Sequence, residues 1–254
     1  MRKLSLVCFS MLFVCLMFSQ SVFSAGIDPA TIVGIWLLDD EKGATAKDSW
    51  KNAFDGQIKG TKQVAGKFGK ALDFAKGDTV SVNLAKGSVT NKLTIILWLQ
   101  FTDLSGQQNY FSIWDQSSNR YVPYKTAANE LHSWANNWDV ACTVFVSDKT
   151  WYHVANVYDG SKVTIYVNGE MKVSQAVAAF ALADQQQNAW FATDKGGWIS
   201  ACVEDDIGIF NTPLTEENVK TIMNNGIAKG IGMVAVEVAG KLPSFWGKLK
   251  VQSE

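Results

Sequence analysis

The chain has 254 residues, is 47% hydrophobic and 12% aromatic, and carries a formal charge of −1, from 23 Lys and Arg against 24 Asp and Glu. That is a globular composition, and so even a charge balance argues against a nucleic acid or an anionic membrane held by bulk electrostatics. Two histidines, His132 and His153, exclude a three-histidine zinc site, and four cysteines without a CxxC pair exclude zinc ribbons and thioredoxin-like motifs.

Residues 1–24 read as a secretory signal peptide. Arg2 and Lys3 precede an apolar run from Leu4 to Phe18, and Val22-Phe23-Ser24 places cleavage before Ala25. The run is shorter than the ~20 residues of a spanning helix, and no later stretch reaches that length. The mature chain is therefore expected to be exported, to a periplasm, the cell surface or the medium, with no membrane span. Cleavage removes Cys8 and Cys15 and leaves Cys142 and Cys202. An oxidising compartment favours joining these two in a disulfide, provided residues 139–146 form a strand beside the 198–204 segment.

The mature chain then runs through short strand-like segments separated by turn residues. Ile32–Leu38 is the first. Lys92–Phe101 is longer, with Thr94, Ile96, Trp98 and Gln100 on one face and Ile95, Leu97, Leu99 and Phe101 on the other. Both faces are nearly apolar, which predicts a central strand covered on both sides. Trp151–Tyr158 ends at Asp159-Gly160, and Val163–Val167 ends at Asn168-Gly169, before a returning strand from Met171. Two such hairpin signals in succession predict a three-stranded meander. Val203–Phe210 is a late strand that opens on three acids, Glu204, Asp205 and Asp206. One helix is predicted over 215–224, with Thr215 as N-cap, Glu216 and Glu217 in the first turn, and Asn225-Gly226 closing it. Many short strands and one brief helix mean an all-β sandwich, with no domain boundary inside 27–226. Residues 227–254 differ in character and read as a C-terminal tail.

Several of these segments together resemble a known family. Ile35-Trp36-Leu37-Leu38-Asp39, Asp48-Ser49, Asp55-Gly56 and Gly66-Lys67-Phe68-Gly69-Lys70-Ala71-Leu72-Asp73-Phe74 are similar to the opening of laminin-G-like jellyroll domains. Thr94–Trp98 is similar to that family's central strand, and Trp151–Ala155 with Tyr166–Glu170 to its meander. Asp205–Phe210 and Pro213–Glu217 resemble its closing strand and helix. The matches span roughly 32–226 in family order and fade over 102–150. The resemblance implies the concanavalin A-like architecture, a two-sheet antiparallel jellyroll sandwich with one short C-terminal helix, as a single domain over 25–226. It also implies one structural calcium near Asp48 and Asp205, with Asn52 and Asp55 as weaker ligands.

Function has to be read from a site, because this architecture hosts glycosidases, lectins and adhesion modules alike. Retaining glycosidases on the scaffold place two glutamates on one strand as Glu-x-Asp-x-Glu, so that alternate residues face one cleft. This chain has no such pattern, and adjacent acids such as Glu204 and Asp205 point to opposite faces. His153 lies mid-strand with no nucleophile elbow to serve. No catalytic residue is assigned, and the chain is read as not an enzyme. The aromatics divide into two groups. Trp36, Trp98 and Trp151 lie in apolar strands and are assigned to the core. Trp114, Tyr121, Tyr124, Trp134 and Trp138 lie among Gln, Ser, Asn, Arg and Lys, a setting suited to stacking a sugar face and bonding its hydroxyls. The leading reading is an exported, lectin-like carbohydrate-binding module with a polysaccharide or glycan as partner. The alternatives are an adhesive or structural module that binds protein, and a diverged glycoside hydrolase.

Overall fold

In the computed structural model, residues 26–39, 43–51, 53–195 and 197–233 are described. The expected signal peptide, Asn52 and residues 234–254 of the expected tail lie outside them. The strands are, in chain order, β1 (Ile32–Trp36), β2 (Thr45–Ala46), β3 (Gly56–Lys59), β4 (Lys62–Ala65), β5 (Lys70–Phe74) and β6 (Thr79–Leu84). There follow β7 (Leu93–Phe101), β8 (Gln108–Asn109), β9 (Phe111–Asp115), β10 (Arg120–Lys125), β11 (Glu130–Ala135) and β12 (Trp138–Phe145). The last are β13 (Trp151–Tyr158), β14 (Lys162–Val167), β15 (Glu170–Ala176), β16 (Gln187–Phe191) and β17 (Cys202–Phe210), then helices α1 (Glu216–Asn225) and α2 (Ile227–Gly230).

They form two antiparallel sheets. The first has the order β15-β14-β13-β7-β17-β5-β4, with β1 also on β17. The second has the order β12-β11-β10-β9-β16-β6-β3-β2, with β8 on β10. Between them lies one apolar core. Trp36, fully buried, meets the edge of Phe191 at 5.2 Å between ring centroids, and Phe111 stacks on Phe191 at 5.7 Å. Burial of each such large ring contributes about 1.5–3 kcal/mol, which makes this layer the main stabilising term.

The predicted elements map closely onto the observed ones. β7 is buried from Leu93 to Leu99, as its two apolar faces require. Its inward residues enter the inter-sheet core. Its outward Ile96 joins a second cluster, beneath α1 and α2, with Ile35, Ala155, Phe210, Val219 and Ile222. The meander β13-β14-β15 is present, and Asn168 and Gly169 both take the left-handed conformation (φ 52° and 77°) that a two-residue hairpin turn requires. Helix α1 begins one residue after its Thr215 cap. The Thr215 hydroxyl accepts from Asn218 N, and the Asn218 side chain reciprocates at the Thr215 N–H. Packing continues past Gly226, because Ile227 is fully buried. Trp36 and Trp98 are core as expected, whereas Trp151 is only half-buried.

β17 exchanges partners along its length. Residues 202–204 pair with β5, and 207–210 pair with β1. The register breaks between Asp205 and Gly208, and Asp206 takes a left-handed φ of 49°. A strand that changes neighbours leaves backbone donors nearby unpaired, and the two acids accept them. Asp205 Oδ2 accepts from Lys67 N (2.7 Å) and Phe68 N (2.9 Å), and Asp206 Oδ2 accepts from Ile227 N (2.8 Å). The acids therefore tie the β4–β5 turn and the α1–α2 junction to the central strand.

The expected disulfide is corrected: Cys142 and Cys202 are free, buried thiols. Residues 139–146 do lie mostly in a strand, but β12 pairs with β11 at the edge of the second sheet. β17 lies inside the first sheet, flanked by β7, β5 and β1. Cys202 Sγ instead donates to Glu204 Oε1 at 3.6 Å, and Cys142 packs as a small apolar residue.

The acids of β17 make stability depend on pH. Burial raises Asp205 to about 7 and Asp206 to about 6, against an ordinary carboxylate value near 4 in the unfolded chain. The folded state thus holds these protons more tightly, and the stability they contribute is full below about pH 4 and lost as pH rises through 6 to 7. Thermal melts from pH 5 to 8 should show the wild type losing stability relative to Asp205→Asn. Parallel curves for the two proteins would contradict this assignment.

Candidate functional site

The second sheet has one face in the core and the other uncovered by α1 or α2, so its strands alternate buried and half-buried positions, as in β11 and β16. On β10, Tyr121 and Lys125 turn inward while Arg120, Val122 and Tyr124 turn outward. On β11, Trp134 and His132 turn outward. On β9 and β16, Trp114 and Trp190 do. Part of this outward set, with Asp139 and the loop after β16, forms a pocket of about 320 Å³ lined by Arg120, Tyr124, Trp134, Asp139, Asp194 and Trp198, with Gln107 and Asn109 at its side.

Arg120 is the centre of this pocket. Its guanidinium carbon lies 4.4 Å from the Trp114 ring centroid and 4.8 Å from that of Trp134, so two indoles hold the plane in place. Nη1 lies 3.8 Å from Asp194 Oδ2, while Asp194 Oδ1 accepts the Trp114 indole N–H. Burial pushes the Asp194 carboxyl above the usual range, against the opposing pull of Trp114 and Arg120. At the other wall the Tyr124 hydroxyl donates to Asp139 Oδ2 (2.7 Å), and His132 Nδ1 lies 2.9 Å from Asp139 Oδ1. Asn109 brings a buried side-chain oxygen that accepts no hydrogen bond among the described residues.

The loop that carries Asp194 and Trp198 is strained. Ala192, Lys195 and Trp198 all take left-handed φ values, of 59°, 51° and 49°. Each costs about 1–3 kcal/mol and persists only where its surroundings enforce it. Here Ala192 N donates to Tyr110 O (2.9 Å), Ser200 N to Ala192 O (2.7 Å) and Asn109 N to Trp198 O (2.7 Å). The result is an indole 60% exposed at the pocket rim.

Of the five sequence-predicted ligand residues, Tyr124 and Trp134 line this pocket, and Trp114 sits against its Arg120 and Asp194 without lining it. Tyr121 and Trp138 belong to the core. The Tyr121 hydroxyl accepts from Ser133 Oγ (2.6 Å) inside the sandwich, and Trp138 packs against Tyr121, Tyr158 and Phe180. Arg120, Asp139, Asp194 and Trp198 were not singled out from sequence. Strand alternation from Trp134 and Tyr124 points to Arg120; nothing local to Trp198 marks it as exposed.

Asp48, Glu204, Asp205 and His153 are buried in the fold, with His153 Nδ1 and Nε2, Glu204 Oε2 and Asp205 Oδ1 lacking hydrogen-bond partners among the described residues. Glu204 is fully buried between the sheets and accepts from Ala192 N, and burial drives its carboxyl far above the usual range. His153 packs on Trp98 with ring centroids 5.1 Å apart, and burial lowers it to about 3, which keeps it neutral. Asp48 and Asp205 have separate partners. Asp48 Oδ1 accepts from Ile35 N and Trp50 N, and its Oδ2 from Ala53 N and Phe54 N. Asp55 accepts from Asp48 N and pairs with Lys47 at 2.5 Å. Among the described residues no three His, Cys, Asp or Glu gather in a group able to hold a metal ion. Calcium needs six or more oxygens, and a carboxylate filled by four N–H donors does not fit as its ligand.

Two antiparallel sheets in this order, with an aromatic pocket on the open face, define a lectin-like jellyroll. A family profile described as the concanavalin A-like lectin/glucanases superfamily, of laminin-G type, matches residues 74–220, and the chain belongs to that family. Among solved structures it is similar to domain 4 of an extracellular arabinanase from Geobacillus stearothermophilus, in complex with arabinotriose. That match has a TM-score of 0.67 at 16% identity and covers 76% of this chain and 98% of that one. It is also similar to the Trypanosoma rangeli sialidase (TM-score 0.62, 14% identity), covering 76% of this chain but 32% of that one. The binding domain of Paraclostridial Mosquitocidal Protein 1 matches with a TM-score of 0.61 at 14% identity, over 77% of this chain and 52% of that one. These likenesses show the fold. A search of curated protein sequences returns no match.

The Asp48 cage yields a test. Asp48→Ala strands four backbone donors and should cost roughly 3 kcal/mol or more in urea unfolding. Chelator should leave the wild-type melting temperature unchanged. A chelator-induced fall, absent from Asp205→Ala, would instead return these acids to a calcium site.

Proposed function

We propose that this chain is an exported, non-catalytic recognition module that binds a glycan on the open face of its second sheet. The observation that carries the reading is the pairing of a half-buried indole, Trp134, with an indole held out to solvent, Trp198. Between them lie a fixed guanidinium and side-chain amides and carboxylates. A pyranose or furanose ring offers apolar C–H faces to such indoles and hydroxyls to such polar groups. The arabinanase domain, whose structure holds arabinotriose, supports the reading at the level of the fold. Export rests on the signal-like residues 1–24.

One observation favours a hydrolase instead. Asp139 and Asp194 line the same pocket, and burial raises Asp194. Against it, both carboxyls are committed to neighbours in the protein, Asp139 to Tyr124 and His132, Asp194 to Trp114 and Arg120. A panel of arabinan, galactan, xylan and oligogalacturonate, assayed for binding and for new reducing ends, separates the readings. Binding without reducing ends is the expected result, and release of sugar would replace the module with an enzyme. Trp134→Ala and Trp198→Ala should each weaken binding by ~1–3 kcal/mol while the protein stays folded, the scale for a ring stacked on an aromatic side chain. Tyr121→Ala should lower stability instead, because that ring is core. Full binding by both tryptophan variants would remove the site.

A further inference from the structure

The pocket around Arg120 does not end at Trp114. The Trp114 ring meets the Trp190 ring edge-on at 6.4 Å between centroids, and Lys195 Nζ lies 5.1 Å from the Trp114 centroid, with Arg120 4.4 Å from it. Beyond Trp190 a second groove of about 350 Å³ crosses β16, β6 and β3, lined by Trp190, Lys195, Lys59, Gln57, Thr79 and Ser81. Ladder pairing sets this row: Trp190 faces Ser81, and Ser81 faces Gln57. The two grooves therefore lie side by side on one sheet face, at right angles to the strands. Strands are spaced about 4.8 Å apart, so the span from β11 to β3 is roughly 24 Å, several sugar units long.

Their chemistry differs. In the first groove the acids Asp139 and Asp194 accompany Arg120. The second is lined by two lysines, an indole, hydroxyls and an amide, with no carboxylate among its lining residues. Lys59 and Lys195 are exposed, and both line this groove with Trp190. A ring stacked on Trp190 would set an anionic substituent in a groove that holds two ammonium groups and no carboxylate in its lining.

We infer that the second groove is a subsite for an anionic sugar unit, so that the ligand is an acidic polysaccharide chain laid across the sheet from Trp134 to Lys59. This rests on the glycan reading of the first pocket. The anionic group is a carboxylate or a sulfate ester, and the two chemistries share the same lysines.

The test is calorimetric titration of the full chain, as wild type and as Lys59→Ala/Lys195→Ala, with four probes. The probes are oligogalacturonate, a sulfated galactan oligosaccharide, neutral arabino-oligosaccharide and a single-stranded oligonucleotide. The inference predicts that an acidic sugar binds more tightly than the neutral one. It also predicts that the double variant loses about tenfold for the acidic sugar, or ~1.4 kcal/mol, while neutral-sugar binding is kept. Raising salt should reproduce the loss, because the lysines are exposed and screened. Which acidic probe responds identifies the carboxylate or the sulfate. Equal affinity for neutral and acidic sugars, or no response to the double variant, would overturn the inference and leave the glycan site standing. Binding of no sugar would remove both, and preference for the oligonucleotide would replace the sugar chain with a different ligand.

Discussion

Strand alternation is the constraint on which the rest of this protein depends. In the second sheet every strand sends one side chain into the inter-sheet core and the next toward solvent, and one residue of slip would invert the whole set. Tyr121 lies in the core because Arg120 and Val122 do not. Trp138 packs on Phe180, while its neighbour Asp139 reaches the pocket. The same alternation places Trp114, Trp134 and Trp190 on one open surface. The first sheet lacks that freedom, since α1 and α2 cover its outer face and Ile96, Ala155 and Phe210 must be apolar there. The covered sheet thus supplies stability, and the open one displays polar and aromatic groups.

Two polar devices hold this division in place. Asp48 gathers four backbone donors, from Ile35, Trp50, Ala53 and Phe54, which ties the segment after β2 to β1. Asp205 and Asp206 take up the donors left where β17 changes partner from β5 to β1. Of the two residues that suggested a metal by family likeness, Asp48 has both oxygens filled by backbone donors, whereas Asp205 keeps a buried Oδ1 without a hydrogen-bond partner among the described residues. At the pocket itself the contribution is pre-organisation. Arg120 cannot swing away between two indoles, and the strained loop at 192–198 presents Trp198 without waiting for a ligand. Ordering costs that binding would otherwise incur are met in folding.

Much of the fold was legible because its signals are local. The two apolar faces of β7, the Asp159-Gly160 and Asn168-Gly169 turns and the Thr215 cap each specify an element within a few residues. The site was legible in part. Trp114, Tyr124 and Trp134, each standing among polar residues in the sequence, lie on the outward face of the second sheet. Tyr121 and Trp138 stand among the same polar residues but face inward, and composition does not carry facing. Trp198 was not read at all, because its exposure depends on three left-handed residues held by Tyr110 and Asn109 from another part of the chain. The cysteines failed for a similar reason. Their pairing needed two strands to be neighbours, and sheet order is a property of the whole topology.

The most direct measurement of the central claim uses the tryptophan indole N–H signals in a two-dimensional ¹H–¹⁵N spectrum. They would be assigned by single substitution and followed while an oligosaccharide retained by the chain is added. The account predicts that Trp114, Trp134 and Trp198 shift, while Trp36 and Trp98, buried in and under the first sheet, do not. Shifts confined to Trp36, Trp98 or Trp50, with the open-face signals unmoved, would place the ligand elsewhere and contradict it.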